Sequence, residues 1–354
     1  MKNADLHLFY LGGSSPTGFR TPFGDIINSP EYHTYIIKGG PGTGKSTFMK
    51  RICDTFDDEE RELYYCSSDP SSADAVVLKG HRTVFVDGTA PHVFEPEYPG
   101  ALQEILNLGD CWDTAKLTDN KNNIIDAQKY YSKFHVRCRK YLSAAASILD
   151  DTVNIAADAL NRDKLDGFIR RFAKKVLTPP ADTKGSILFK QISAVTPAGY
   201  STFMEDGDMV YLLGDPYFIG ADIFLRGMAD EAVSRGLTAE VSCCTVHNGT
   251  VYEHMRIPEL KLSFISANGI NRIRLDEKRP VNFMRFYRRD IITAKKMRLK
   301  FNARAVSELL DEAYSSLRSA KAAHDKLEEF YISAVNFGKV DAVLKKYIAK
   351  LKTE

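Results

Sequence analysis

Residues 39–46 read Gly39, Gly40, Pro41, Gly42, Thr43, Gly44, Lys45 and Ser46, followed by Thr47. The run fits the Walker A pattern G-x-x-x-x-G-K-S/T, and it lies between an apolar stretch, HTYIIK, and a segment with helical spacing. Glycines at this spacing let a loop curl until successive N–H groups face an anion, and the helix that follows adds the positive end of its dipole. The chemistry that fits is the cradling of a nucleoside polyphosphate by residues 39–47. Lys45 would reach the β- and γ-phosphates and the Ser46 hydroxyl would ligate Mg²⁺.

A metal-bound nucleotide also needs an acid at the end of a neighbouring strand. The apolar run TVFVD ends on Asp87, the candidate second metal partner, although Asp-Gly is also an ordinary way to open a turn. Asp69 follows another apolar run, in SSDP. Carboxyl ends of parallel strands share one sheet edge, so Asp69 would open near the glycine loop and orient a water or an acceptor hydroxyl. The same four residues also make a plain turn. His92, five residues beyond Asp87 in DGTAPH, is a candidate proton acceptor or γ-phosphate ligand, with a packed or surface imidazole as the alternative.

These residues need a scaffold that sets them on one edge. A strand over 33–38, a helix over 45–56, a strand over 62–66, a turn-rich stretch and a strand over 83–86 predict a mostly parallel α/β sheet. Ile124, Ile125, Gln128, Tyr131 and Phe134 recur at helical spacing and lead into an Ala-rich stretch to Leu160. After a break at 161–164 a last helix runs to Val176, so a long helical hairpin follows the sheet.

The chain then repeats itself. Residues 142–175 lie over 317–350 at a constant offset of 175, matching Ala159 to Ala334, Asn161 to Asn336, Lys164 to Lys339 and Asp166 to Asp341. At that offset GGPGTGKSTF lies over GDPYFIGADI, which puts Ile219 at the place of Gly44, Gly220 at that of Lys45 and Ala221 at that of Ser46. SPTGF (15–19) corresponds to TPAGY (196–200), and VFVDG (84–88) to SFISA (263–267), so Ser266 stands for Asp87. The expected architecture is α/β, two tandem P-loop NTPase-like domains with mostly parallel sheets, each followed by a long helical hairpin. The active domain would span 1–178, a Pro-containing linker 179–184, and a degenerate domain 185–354.

Composition fits this reading. The 354 residues are 44% hydrophobic and 27% charged, which excludes disorder and low-complexity architectures. A net charge of +2 gives no chain-wide footprint for nucleic acid, which is disfavoured as a partner. No apolar run is long enough to span a membrane, and six scattered cysteines without a CxxC pair suit reduced thiols, so the expected location is cytoplasmic. A basic tract from Arg272 to Arg304, with Arg285, Arg288 and Arg289, reads either as a solvated helix face or as the source of an internal arginine finger.

Guanine-specific sites carry N/T-K-x-D; the nearest stretch, NKNN at 120–123, lacks the aspartate, which favours ATP over GTP. YIIKGGPGTGKSTFMKRI, YYCSSDPSSAD and VFVDGTAPH, with the degenerate repeat behind them, resemble a little-characterised family of bacterial ATP-binding proteins made of two P-loop halves. The resemblance spans most of the chain and implies a P-loop ATPase or a nucleotide-kinase-like protein. The second loop departs from the pattern of relatives that keep two. The expectation is an ATPase with one MgATP site in the first half and a silent second half. The alternatives are a kinase whose small-molecule acceptor is lined by Ser67, Ser68, Asp69 and His92, and an ATP-dependent switch with little turnover.

Overall fold

The computed structural model describes residues 5–90, 93–178, 184–204, 209–271, 273 and 279–353. The first half holds β1 (Leu6–Tyr10), a small hairpin of β2 (Gly13–Ser15) and β3 (Gly18–Arg20), α1 (Gly24–Ile27), β4 (His33–Lys38), α2 (Lys45–Thr55), β5 (Arg61–Tyr65), β6 (Ala73–Leu78), β7 (Thr83–Asp87) and β8 (Gln103–Asn107). Three helices follow: α3 (Thr114–Asp119), α4 (Lys121–Ala159) and α5 (Arg162–Val176). The second half repeats the sequence of elements. It holds β9 (Ser186–Phe189), the hairpin β10 (Ser193–Thr196) and β11 (Gly199–Thr202), β12 (Met209–Gly214), α6 (Ile219–Ser234), β13 (Thr238–Cys243), β14 (Tyr252–Ile257), β15 (Leu262–Ala267) and β16 (Arg279–Asn282). It closes with α7 (Arg289–Ala294), α8 (Lys296–Ile332) and α9 (Phe337–Leu351).

Both sheets have six strands and one topology. The first runs β1-β5-β6-β7-β4-β8 and the second β9-β13-β14-β15-β12-β16, so each strand has a counterpart in the same place. β6 and β14 are antiparallel to both neighbours, and the other pairs are parallel. Strand β6 falls in the stretch read from sequence as turns. The segments on either side of it, 66–72 and 79–82, are too short for a crossover, which needs about a dozen residues, so β6 can only run antiparallel.

The chain divides into two compact units that do not coincide with the halves of the repeat. The first comprises the residues up to Gly13, Thr21–Cys138 and Tyr314 onward; the second comprises Ser14–Arg20 and Arg139–Ala313. Each unit therefore takes its sheet from one half and its closing helices from the other. In the first unit Val340, Leu344 and Leu351 of α9 join Tyr35, Ile37, Phe48, Ile52 and Phe85 in one core. In the second, Leu165, Ile169 and Ala173 of α5 join Phe224, Leu225, Met228 and Phe264. Burying such side chains stabilises by about 1.5–3 kcal/mol each, enough to hold an exchanged helix in place.

Local sequence sets the helix starts. The Asn161 side chain accepts from the Lys164 amide at 3.0 Å, and Asn336 accepts from Lys339 at 3.1 Å, so the matched asparagines cap α5 and α9 alike. Among the described residues no helix is long and apolar enough to cross a membrane. Of the six unpaired cysteines, Cys53, Cys111, Cys138 and Cys244 are buried and Cys66 and Cys243 partly so.

Candidate functional site

Strand β4 lies between β7 and β8, so the glycine loop leaving its carboxyl end opens beside the end of β7. The register sets Ile37 opposite Asp87. Gly42 and Gly44 have φ of +64° and +89°, a left-handed backbone that a side chain would strain; Gly44 is the residue from which α2 starts.

Lys45 is buried in the first turn of α2. Its Nζ donates to the carbonyls of Gly39 and Gly40, each at 2.8 Å, and stands 3.5 Å from Asp87 Oδ2. Asp87 Oδ1 accepts from the Thr89 amide at 2.8 Å and from the Thr89 hydroxyl. Burial pushes the Asp87 carboxyl above the usual range, Lys45 pulls it back, and nearby Asp74 pushes it up again. Ser46 Oγ accepts from the Ala73 amide at 2.9 Å, which fastens α2 to β6 and leaves the hydroxyl proton and a second lone pair. Thr43 donates its hydroxyl to the Gly40 carbonyl, Pro41 is half-buried, and Thr47 is exposed.

The structure thus brings Lys45 and Asp87 together beside the loop, with Ser46 tied to β6. Asp69 is engaged elsewhere. It accepts from the Ser71 amide at 3.1 Å and the Ser71 hydroxyl at 2.7 Å, and it pairs with Lys321 of α8 at 3.2 Å. Burial works against its charge, yet these bonds hold the carboxyl below the usual range. His92 lies outside the described residues, as do Arg272 and residues 274–278 of the basic tract. Two of the arginines proposed as a finger, Arg285 and Arg288, and Arg298 of the same tract are engaged within the second unit. The Arg285 guanidinium lies 4.4 Å from the centre of the Phe168 ring, Arg288 donates to the Asp158 carbonyl, and Arg298 pairs with Asp151.

Three residues near the loop were missed by sequence reasoning. Asp74 is a buried acid on β6 whose charge acts on Asp87. A carboxylate opening the apolar run ADAVVL was the signal for it. Lys321 and Glu328 come from α8, and Glu328 Oε1 accepts from the Gly42 amide at 3.0 Å. No local pattern connects residues 286 positions apart. The Ser46 hydroxyl and the Asp87 and Asp74 carboxylates are hard oxygen donors of the kind that suits Mg²⁺.

At the same place in the second unit the loop is built differently. β12 ends at Gly214 and α6 starts at Ile219, so residues 215–218 connect them, where 39–44 connect β4 to α2. The connection is two residues shorter. Phe218, with φ +68°, takes the place of Gly44, and Ile219 the place of Lys45. The constant offset of 175, which set Gly220 against Lys45, fails across the loop for this reason. Buried Asp215 closes it: Oδ2 accepts from the Ala221 amide at 2.9 Å, Oδ1 from the Tyr217 amide at 3.1 Å, and the Tyr287 hydroxyl donates to both oxygens at 3.0 Å. A carboxylate of the chain itself therefore occupies the start of α6. Ser266 of β15 faces Leu213 of β12 as Asp87 faces Ile37, so the Asp87 carboxylate has no counterpart there.

Compared with known proteins, the chain matches no family model, no curated protein and no solved structure.

Proposed function

We propose that the first unit binds MgATP through residues 39–47 and hydrolyses it, while the second unit carries no nucleotide. One observation carries the reading: the Lys45 ammonium and the Asp87 carboxylate stand 3.5 Å apart at the carboxyl ends of adjacent parallel strands, beside a loop with two left-handed glycines. That is the arrangement in which a lysine and a metal-binding acid serve the same phosphates. The resemblance to tandem P-loop proteins points the same way, and the missing N/T-K-x-D element favours adenine.

In this account the loop amides and Lys45 bind the phosphates, and Ser46 and Asp87 hold the metal. Mg²⁺ supplies neutralisation of the charge on the phosphate oxygens. The Asp87 side chain is only 14% exposed, so its interaction with a cation is partly shielded from screening by water. Water as the acceptor is favoured over a second substrate because Ser67 is buried and Asp69 is committed to Ser71 and Lys321, two of the residues that the kinase reading places around its acceptor.

The test is equilibrium binding of ATP and GTP, with and without Mg²⁺, to wild type, Lys45→Ala and Asp87→Asn. ATP should bind at one equivalent and more tightly than GTP; both substitutions should weaken it, and Asp87→Asn should remove the Mg²⁺ dependence. Unchanged binding in Lys45→Ala would overturn the reading.

A further inference from the structure

The glycine loop is covered by the end of α8. Besides the bond from the Gly42 amide to Glu328, a Cβ built on Gly40 would lie 2.5 Å from the Tyr331 ring. One built on Gly42 would lie 2.8 Å from Ile332 Cγ1 and 3.1 Å from the Glu328 carbonyl oxygen. Helix and loop are in van der Waals contact at both glycines, with no room for even a methyl group at either Cα, and the Gly42 amide is taken by Glu328. The carboxylate oxygen on the Gly42 amide makes the charge-assisted bond that a phosphate oxygen makes in such a loop.

The helix end is fastened from several sides within the first unit. Lys321 pairs with Asp69, the Tyr331 ring packs 5.7 Å from the Trp112 ring, and the Asn336 amide donates to the Cys111 carbonyl at 2.8 Å. His324 Nδ1 stands 3.7 Å from Glu328 Oε1 and its ring 5.4 Å from that of Tyr131.

The two halves differ here in an informative way. At the offset of 175 that aligns the caps Asn161 and Asn336, Glu328, Tyr331 and Ile332 correspond to Val153, Ala156 and Ala157 of α4. The second unit has no carboxylate at this helical position; its loop is closed by Asp215, a residue of the loop itself. Only the first unit has its anion mimic on a separate element that can be withdrawn.

We propose that the end of α8 is a latch on the nucleotide site: the Glu328 carboxylate holds the place of a phosphate on Gly42, and ATP enters only as Glu328, Tyr331 and Ile332 leave the loop. The proposal rests on the reading of residues 39–47 as a phosphate loop. A latch sets the apparent affinity, because binding is weakened by the fraction of molecules in which it is shut. Charge matters more than bulk at Glu328, since a neutral amide oxygen is a weaker acceptor.

The experiment is titration of wild type, Glu328→Gln, Glu328→Ala and Tyr331→Ala with a fluorescent ATP analogue, together with amide hydrogen exchange of the wild type with and without MgATP. The Glu328 variants should bind on the order of tenfold more tightly, the change expected for losing one charge-assisted bond, and Tyr331→Ala should also tighten binding by removing the packing over Gly40. In the wild type, amides of residues 324–332 should exchange faster once MgATP is bound. The exchange measurement keeps the test decisive if a variant does not fold. Binding of equal strength in all four proteins, with exchange over 324–332 unchanged, would overturn the latch and leave the nucleotide reading standing. Absence of binding in all four would overturn both.

Discussion

Trp112 forms an isolated antiparallel bridge with Val335, and the Asp113 amide beside it donates to the Ala334 carbonyl at 2.8 Å. The second unit repeats the arrangement with Leu160 and Tyr287, where the Arg288 amide donates to the Ala159 carbonyl at 2.8 Å. Each pair joins the turn after one half's sheet to the break in the other half's hairpin. The exchange of helices is thus built into hydrogen bonds as well as into the cores.

Leu344→Ala, in α9, should therefore destabilise the unit that carries the glycine loop, by about 2–5 kcal/mol for a buried leucine. Hydrogen exchange is the readout. Amides of β4 and α2 should lose protection, whereas Ile169→Ala in α5 should expose those of β12 and α6. The opposite pattern would contradict the exchange.

Placing Gly, Lys and Ser at 219, 220 and 221 should not create a second nucleotide site, because the loop is two residues too short and Asp215 fills the helix start. Titration with MgATP should still saturate at one equivalent. Asp215→Ala should instead cost about 1–3 kcal/mol for each donor left without an acceptor, among the Ala221 and Tyr217 amides and the Tyr287 hydroxyl. Urea unfolding would measure it.

Acid should loosen the second unit. Burial drives His247 down to about 4 and His254 down to about 3, and drives Glu253 up to about 7. His254 accepts the Ser266 amide on Nδ1 at 3.1 Å, which a protonated ring could not do. From about pH 4.5 to 6.5 the unfolded chain holds two histidine protons that the folded chain lacks, and the folded chain one carboxyl proton that the unfolded chain lacks. Stability should therefore rise with pH by about 1.4 kcal/mol per unit over this range, then fall slightly towards pH 7, where the unfolded histidines have lost their protons and folded Glu253 still holds its own. Glu253→Gln removes the opposing proton and should roughly double the slope. Urea midpoints across this range check the sign.

Asp87→Asn and Asp69→Asn separate the two strand-end acids. The first should lower phosphate release on the order of 10²-fold or more, as for loss of one electrostatic stabiliser. The second should leave turnover within a few-fold and act chiefly on the tie to Lys321. Equal effects would place Asp69 in the chemistry.

Much of this was legible in the sequence. The motif located Lys45, the end of an apolar run located Asp87, and the repeat anticipated two sheets of one topology. The repeat matched Asn161 to Asn336 at the break before the last helix of each half, and these residues cap α5 and α9. Strand β6 was hidden because Ser-, Pro- and Asp-rich flanks outweighed a six-residue apolar run. The helix exchange left no trace, since a hairpin with one apolar face fits either sheet by periodicity alone. Glu328 was invisible for the same reason: it reaches Gly42 only because α9 and the end of α8 belong to the first unit.

The most direct measurement is phosphate release from MgATP by the purified wild type beside Lys45→Ala, with bound nucleotide quantified in the same samples. The account predicts one bound equivalent and steady release in the wild type, with release falling on the order of 10²–10³-fold in Lys45→Ala. Equal release by the two proteins, or no bound nucleotide in the wild type, would contradict it.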